Sequence, residues 1–253
     1  MEQDINVDSL WLIKERDKSG KHSNIYHGNF IPQIPNQLIR RYTKENDLIM
    51  EPFAGSGTTL FECESLNRRY IGFDINEQII SYVKERMKGS SYSNYYLACA
   101  DMLNKEQVKK EMCYSLKTLY SENVQFMLVH PPYMDIVKFT DKENDLSNCY
   151  DLKSFIDKLH LVFTNILSFL EKNKYFALVM GDIYKNREVI PLSFYCMDMI
   201  KRSFKVKLKG IIVKNIEGNR GKLGVNSIWK YRALKSDYFL FKHEYIFVFK
   251  KEF

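Results

Sequence analysis

Two short stretches hold residues whose types and spacing could do chemistry together: FMLVHPPYMDI, residues 126–136, and EPFAGSGTT, residues 51–59. In the first, the apolar run Phe126 to Val129 reads as a buried strand. Pro131 and Pro132 must end it, because neither can donate a ladder hydrogen bond. His130, two free proline carbonyls and the Tyr133 ring would then stand at the C-terminal edge of a sheet, where open α/β sheets bind ligands. In the second stretch a strand ends in Glu51, Pro52 and Phe53. Ala54, Gly55, Ser56 and Gly57 then permit a tight turn, and Thr58 and Thr59 open a helix whose free N–H groups face the same point. The lysine of a Walker loop is absent, and Leu60 stands where a dinucleotide fingerprint has its third glycine. Glu51 at the strand tip would repel a pyrophosphate but welcome an ammonium group.

Two further carboxylates join this loop. The segment YIGFDIN places Asp74, followed by Ile75, at the tip of the next strand, the usual place for an acceptor of ribose hydroxyl protons. YYLACAD places Asp101 just beyond a third strand. Taken singly, each carboxylate is an ordinary loop charge or helix cap. Together, three acidic tips around a glycine loop match a ligand with an amine, a ribose and an amino-bearing base, and S-adenosylmethionine has all three. No metal site is expected.

Holding these tips side by side requires alternating strands and helices. Strand patterns recur at Asp47 to Phe53, Arg69 to Ile75, Asn94 to Cys99, Gln125 to Val129, Tyr175 to Gly181, Val206 to Lys214 and His243 to Lys250. Helical patterns fill Thr58 to Leu66, Asn76 to Met87, Asn104 to Tyr120, Asp151 to Leu170 and Pro191 to Arg202, several opened by a capping residue or proline. The alternation predicts an α/β fold with a seven-stranded, mostly parallel sheet. The last two strands, joined by a polar segment without a clear helix, should pair antiparallel as a C-terminal hairpin at one end of the sheet.

At 253 residues the chain suits a single domain over 1–253. The polar, acidic N-terminus and the lack of an apolar run near the roughly 20 residues of a membrane span predict a cytoplasmic protein with no membrane partner. Five cysteines stand far apart with no C-x-x-C pair, which fits neither a zinc knuckle nor a disulfide framework. The charge is lopsided: of a net +7, residues 201–253 carry 14 Lys and Arg against 4 Asp and Glu, so the first 200 residues are net acidic. A basic C-terminal surface suits a polyanion such as nucleic acid.

EPFAGSGTT resembles motif I of the amino-group DNA methyltransferases, and HPPY resembles a variant of their catalytic motif IV, in which Asp, Asn or Ser normally precedes the two prolines. YHGNFIPQIPNQLIRRYT is similar to their cofactor-side motif X, and HEYIFVFKK to their final strand. The motif order X, I, IV is similar to that of the γ group, whose members mostly modify adenine. The resemblance implies a Rossmann-like S-adenosylmethionine-dependent methyltransferase fold over about His27 to Lys251. It also implies roles: Glu51 for the methionine amine, Phe53 and the backbone from Gly55 to Thr58 for holding the cofactor, Asp74 for the ribose, Asp101 for the adenine amine, and Phe30 beside the methionine.

In the family scheme, the residue before the prolines and the first proline carbonyl accept hydrogen bonds from the target amine, while the aromatic residue stacks on a base flipped from the duplex. A neutral His130 has one acceptor nitrogen and fits; an imidazolium has none. Activity should then fall as pH drops through the titration of His130. Three readings stay open for this substitution: a working acceptor, a changed substrate such as an RNA amine, or a cofactor-binding fold that no longer catalyses. The preferred substrate is an adenine amine in double-stranded DNA, with a cytosine amine as the alternative.

Little chain remains for target recognition. Residues 215–242 are the candidate insertion, with Arg220, Lys222, Trp229, Lys230 and Arg232 to hold phosphates and bases. Lys138, in a loop that resembles the active-site loop of a subgroup of DNA methylases, is a further candidate for nucleic-acid contact. A separate recognition subunit or a cognate restriction enzyme of a restriction-modification system would be natural partners.

Overall fold

The computed structural model describes residues 4–23, 28–216 and 226–252, apart from the side chains of Asn226, Ser227 and Trp229. In chain order its elements are β1 (Leu10–Trp11), α1 (Gln33–Tyr42), β2 (Leu48–Glu51), α2 (Thr58–Ser65), β3 (Arg69–Asp74), α3 (Glu77–Met87), β4 (Tyr95–Cys99), α4 (Lys105–Thr118), β5 (Val124–Val129) and α5 (Leu152–Ile166). They continue with β6 (Leu170–Met180), β7 (Ile183–Lys185), β8 (Glu188–Ile190), α6 (Leu192–Ser203), β9 (Val206–Asn215), α7 (Asn226–Lys235) and β10 (His243–Lys251).

Eight strands form the main sheet, in the order β1-β9-β10-β6-β5-β2-β3-β4. All seven expected strands are in it, and β10 runs antiparallel to both β6 and β9. The eighth is the two-residue β1, which pairs parallel with the outer edge of β9. Two residues carry too little periodicity to be read from sequence. β7 and β8 form a separate antiparallel hairpin. α1 and α7 lie where no helix was expected; Pro32 and Pro35 mask the start of α1, and α7 has no apolar stripe to announce it.

The sheet is buried on both faces. Along β5, Phe126 and Leu128 join one core with Ile34 and Leu38 of α1, Leu60 of α2 and Val83 of α3. Met127 and Val129 point the other way, to Met112 of α4, Phe163 of α5 and Cys196 of α6. This period-two division is why the strand reads as a continuous apolar run. Three helices are capped as their sequences imply: Asn76 accepts from the N–H groups of Gln78 and Ile79, Asn104 from Gln107, and Asp151 from Ser154. Each such cap is worth about 1 kcal/mol.

These features make the fold a Rossmann-like α/β methyltransferase fold. The strand order reverses between β5 and β2, so their C-terminal ends diverge and leave a crevice at the switch point. EPFAGSGTT leaves the end of β2 and HPPY leaves the end of β5, which brings the two chemistry-bearing stretches to opposite sides of one opening.

Candidate active site

The crevice is a cleft of about 350 Å³. Its wall holds Phe30, Glu51, Pro52, Phe53, Ala54, Gly55, Ser56, Thr58, Asp74, Ile75 and Asp101, together with His130, Pro131, Pro132 and Tyr133. Thus both predicted groups meet in one cavity. Gly57 and Thr59 do not line it and act from behind. Gly57 has φ +84° at the N-cap of α2, and a Cβ there would come within 2.8 Å of Val83, so glycine allows the turn to press against α3.

Thr59 Oγ1 donates to Glu51 Oε1 at 2.8 Å, and the Tyr70 hydroxyl donates to Oε2 at 2.7 Å. These bonds favour the ionised form, but burial outweighs them and pushes the Glu51 carboxyl up to about 8. An ammonium group placed beside this carboxyl would act against burial and favour its ionised form. Asp74 Oδ2 accepts from the Gly55 N–H and Oδ1 from the Asn76 N–H, both at 2.9 Å. Its carboxyl is nevertheless raised to about 6, again by burial. Asp101 Oδ1 accepts from the Leu103 N–H at 2.8 Å, and Oδ2 accepts from Asn144 Nδ2 at 2.6 Å.

Asn144 belongs to a strap that sequence reading placed in an active-site loop without assigning it a role. Two short 3-10 turns, Met134–Ile136 and Leu146–Asn148, bracket it. The strap is tied down when Lys142 Nζ donates to the Ile75 carbonyl at 2.7 Å. Inside the strap, the Thr140 hydroxyl and the Ser147 N–H donate to buried Asp145. Six residues of the strap and its bracketing turns, Ile136, Val137, Phe139, Asn144, Asp145 and Leu146, reach the cleft wall.

Across the cleft, the His130 ring packs on Phe30 with centroids 4.8 Å apart, so Phe30, expected on the cofactor side, backs the catalytic candidate. His130 Nε2 lies 3.2 Å from the Tyr133 hydroxyl, which donates to Glu244 Oε2 at 3.2 Å. Burial drives the His130 imidazole down to about 4. A ring so lowered is neutral across the physiological range, which moves any fall in activity through its titration to well below 6.5. Lys214 Nζ in turn donates to Glu244 Oε1 at 3.0 Å, and both side chains are buried in the cleft wall. Sequence reading missed this ion pair. β9 and β10 also carry Lys207, Lys209, Lys250 and Lys251, so the pair stands out only through the β9–β10 register, which places the two residues face to face.

The predicted nucleic-acid residues are less concentrated. Lys138 is exposed and paired with Asp141 at 2.6 Å, and Lys230 and Arg232 are exposed on α7; none of the three lines the cleft. Arg220, Lys222 and the side chain of Trp229 lie outside the described residues, as does the 24–27 portion of the motif X stretch. α7 is anchored beside the β7–β8 hairpin, where Tyr184 stacks on Tyr238 at 4.2 Å and donates to the Ser236 carbonyl.

The donor set fits S-adenosylmethionine. Three carboxylates with spare lone pairs face a cleft whose size suits a nucleoside, and the Ser56 hydroxyl is buried there with no partner of its own. Bound there, S-adenosylmethionine supplies an electrophilic methyl group on its sulfonium.

Residues 1–85 match the N6/N4 methyltransferase family model, described as DNA methylase. Among curated proteins, the Type II methyltransferase M.HpaI of Haemophilus parainfluenzae is 45% identical over 82 residues, 32% of this chain and 26% of that protein. The Type II methyltransferase M.MjaII of Methanocaldococcus jannaschii is 34% identical over 92 residues, 36% of this chain and 17% of that protein. The matched stretches therefore span less than a third of these relatives. Among solved structures, TrmN from Thermus thermophilus superposes with a TM-score of 0.53 at 16% identity, over 88% of this chain and 49% of its own. NSun6 from Pyrococcus horikoshii, solved with SFG, gives 0.52 at 12% identity, over 87% and 51%. At these identities the likeness concerns the fold alone.

Proposed function

From the premise that residues 1–85 carry the sequence of the amino-group DNA methylase family, we propose that the chain transfers a methyl group from S-adenosylmethionine to the exocyclic amine of a base in DNA, adenine in preference to cytosine. The observation that carries this reading is that His130-Pro131-Pro132-Tyr133 and the three carboxylates line one cleft.

In this reading Glu51 takes the methionine amine, Asp74 the ribose hydroxyls and Asp101 the adenine amine, while Ser56 finds its missing partner on the ligand. The Gly55–Thr58 backbone and Phe53 hold the cofactor from below. On the target side, His130 and the Pro131 carbonyl accept the two hydrogens of the base amine, which turns the nitrogen lone pair toward the methyl group. A neutral ring is required for that, and burial supplies it. Tyr133 stacks on the flipped base. The reaction is an in-line displacement with no covalent enzyme intermediate, and the protein contributes position and electrostatics.

The whole chain, 1–253, acts as one methyltransferase domain, and 215–242 is its target-recognition insertion, with Lys230 and Arg232 on phosphates and Lys138 contacting the strand from the strap. The short insertion suits a short target or a recognition subunit, and a restriction-modification system is the natural setting. The test is to incubate the protein with isotope-labelled S-adenosylmethionine and separate pools of unmethylated DNA and RNA, then identify labelled nucleosides by mass spectrometry. Methyladenine from DNA is expected, methylcytosine would change the base, and label confined to RNA would overturn the substrate class.

A further inference from the structure

The cleft contains a charged pair that cofactor binding does not use. Lys214 and Glu244 sit opposite each other on β9 and β10, almost wholly removed from water, in strands that are otherwise apolar at these depths. Burying two charges is costly, and a pair of apolar side chains would often stabilise the fold as well. The arrangement makes sense through what Glu244 does with its second oxygen, which accepts the Tyr133 proton.

We propose that Lys214 and Glu244 are positioning residues that act through Tyr133 to fix the His130 ring in one tautomer, with the proton on Nε2 and the lone pair on Nδ1. The catalytic consequence rests on the function proposed above; the tautomer itself does not.

The geometry leaves one self-consistent chain of donors. Lys214, with three protons and no lone pair, holds Glu244 as an ionised, acceptor-only group. Tyr133 has a single hydroxyl proton, and turning it away from Glu244 would set an oxygen lone pair against a carboxylate. With that proton given to Glu244, the Tyr133 oxygen can only accept from His130 Nε2, 3.2 Å away. A neutral imidazole has one N–H, so Nδ1 is left as its acceptor. Tyr133 cannot swing out of this chain freely, because it lies against Gly181, where a Cβ would come within 2.8 Å of its ring. Phe30 covers the imidazole itself.

The chain has a polarity that one isosteric change reverses. In Glu244→Gln, Lys214 requires the amide oxygen, so the amide NH2 must face Tyr133. The Tyr133 hydroxyl then donates its hydrogen bond to the lone pair of His130 Nε2 while keeping its proton, and the ring's single N–H moves to Nδ1. The acceptor offered to the base amine is thereby converted into a donor.

The experiment is two-bond 15N–1H correlation NMR on the full chain with 15N-labelled histidine at pH 7, with His130 identified by the signals lost in His130→Asn. The Nε2–H tautomer is expected for the unaltered protein, the Nδ1–H tautomer for Glu244→Gln, and a mixture for Tyr133→Phe. Glu244→Gln should also lower kcat on the order of a hundredfold while cofactor affinity changes less than about twofold. An Nδ1–H tautomer in the unaltered protein would overturn the proposal, whether or not the Glu244 and Tyr133 variants fold. So would an unchanged tautomer in both variants, or a loss of cofactor affinity in Glu244→Gln as large as its loss of kcat. The expected tautomers without transfer to any nucleic acid would instead overturn the proposed function and leave this inference standing.

Discussion

The two walls of the cleft are built in different ways. On the cofactor wall, Glu51, Asp74 and Asp101 end or follow three adjacent strands, β2, β3 and β4, and their partners Thr59 and Tyr70, Gly55 and Asn76, and Leu103 lie within about twenty residues in the chain, while the strap's Asn144 reaches Asp101 from farther off. On the target wall, His130 and Tyr133 depend on Gly181, Lys214 and Glu244, which arrive from the end of β6, from β9 and from β10, more than forty residues away. A wall assembled from neighbouring strand tips tolerates change elsewhere in the sheet. A wall assembled across the sheet depends on its antiparallel register, and a change at one end should propagate to the other.

The comparison is open to disruption from either side. Asp74→Ala removes the acceptor of two backbone N–H groups as well as the ribose contact proposed for it. At about 1.5–3 kcal/mol for a hydrogen bond to a charged group, it should weaken cofactor binding on the order of a hundredfold. Isothermal titration calorimetry measures this, and a Kd within a few-fold of the unaltered protein would remove Asp74 from the site.

Gly181→Ala pushes on the Tyr133 ring from behind. It should cost about 1–3 kcal/mol of stability and lower kcat roughly tenfold, with cofactor affinity preserved. Thermal unfolding and steady-state kinetics read the two effects, and an equal loss of cofactor affinity would mean that the walls are coupled.

The pH dependences should also separate. Burial favours the protonated form of Glu51 and pushes its carboxyl up to about 8. An ammonium ligand stabilises the ionised form, so binding at pH 7 should release a proton and tighten as pH rises toward 8. Calorimetry in buffers of different ionisation enthalpy detects that proton, and Glu51→Gln should abolish its release. The smallest effect is expected on the other wall. With His130 held down to about 4, kcat at saturating cofactor should be flat from pH 8 to about 5 on this account. A fall centred near 6.5 would show that the ring is solvated in the working complex.

The same contrast governs what the sequence makes legible. The glycine loop, Asp74 and Asp101 can be read because each is defined by its immediate neighbours in the chain, an apolar strand before it and a cap or helix after it. Asn76 and Asn104 announce α3 and α4 in the same local way. The Lys214–Glu244 pair is invisible until β9 and β10 are set in register, since neither residue has a local neighbour that marks it as unusual. Asn144 is hidden for a related reason: only the folded strap brings its amide to Asp101, across more than forty residues. β1 is too short for any periodic signal, and α7 too weakly amphipathic.

The most direct measurement pairs single-turnover methyl transfer to DNA with cofactor affinity in His130→Ala. With the target wall supplying the acceptor and the cofactor wall standing independently, transfer should fall by about 10² to 10⁴ while the Kd for S-adenosylmethionine stays nearly unchanged. Loss of cofactor affinity as large as that of Asp74→Ala, or transfer that survives the substitution, would contradict the role of His130.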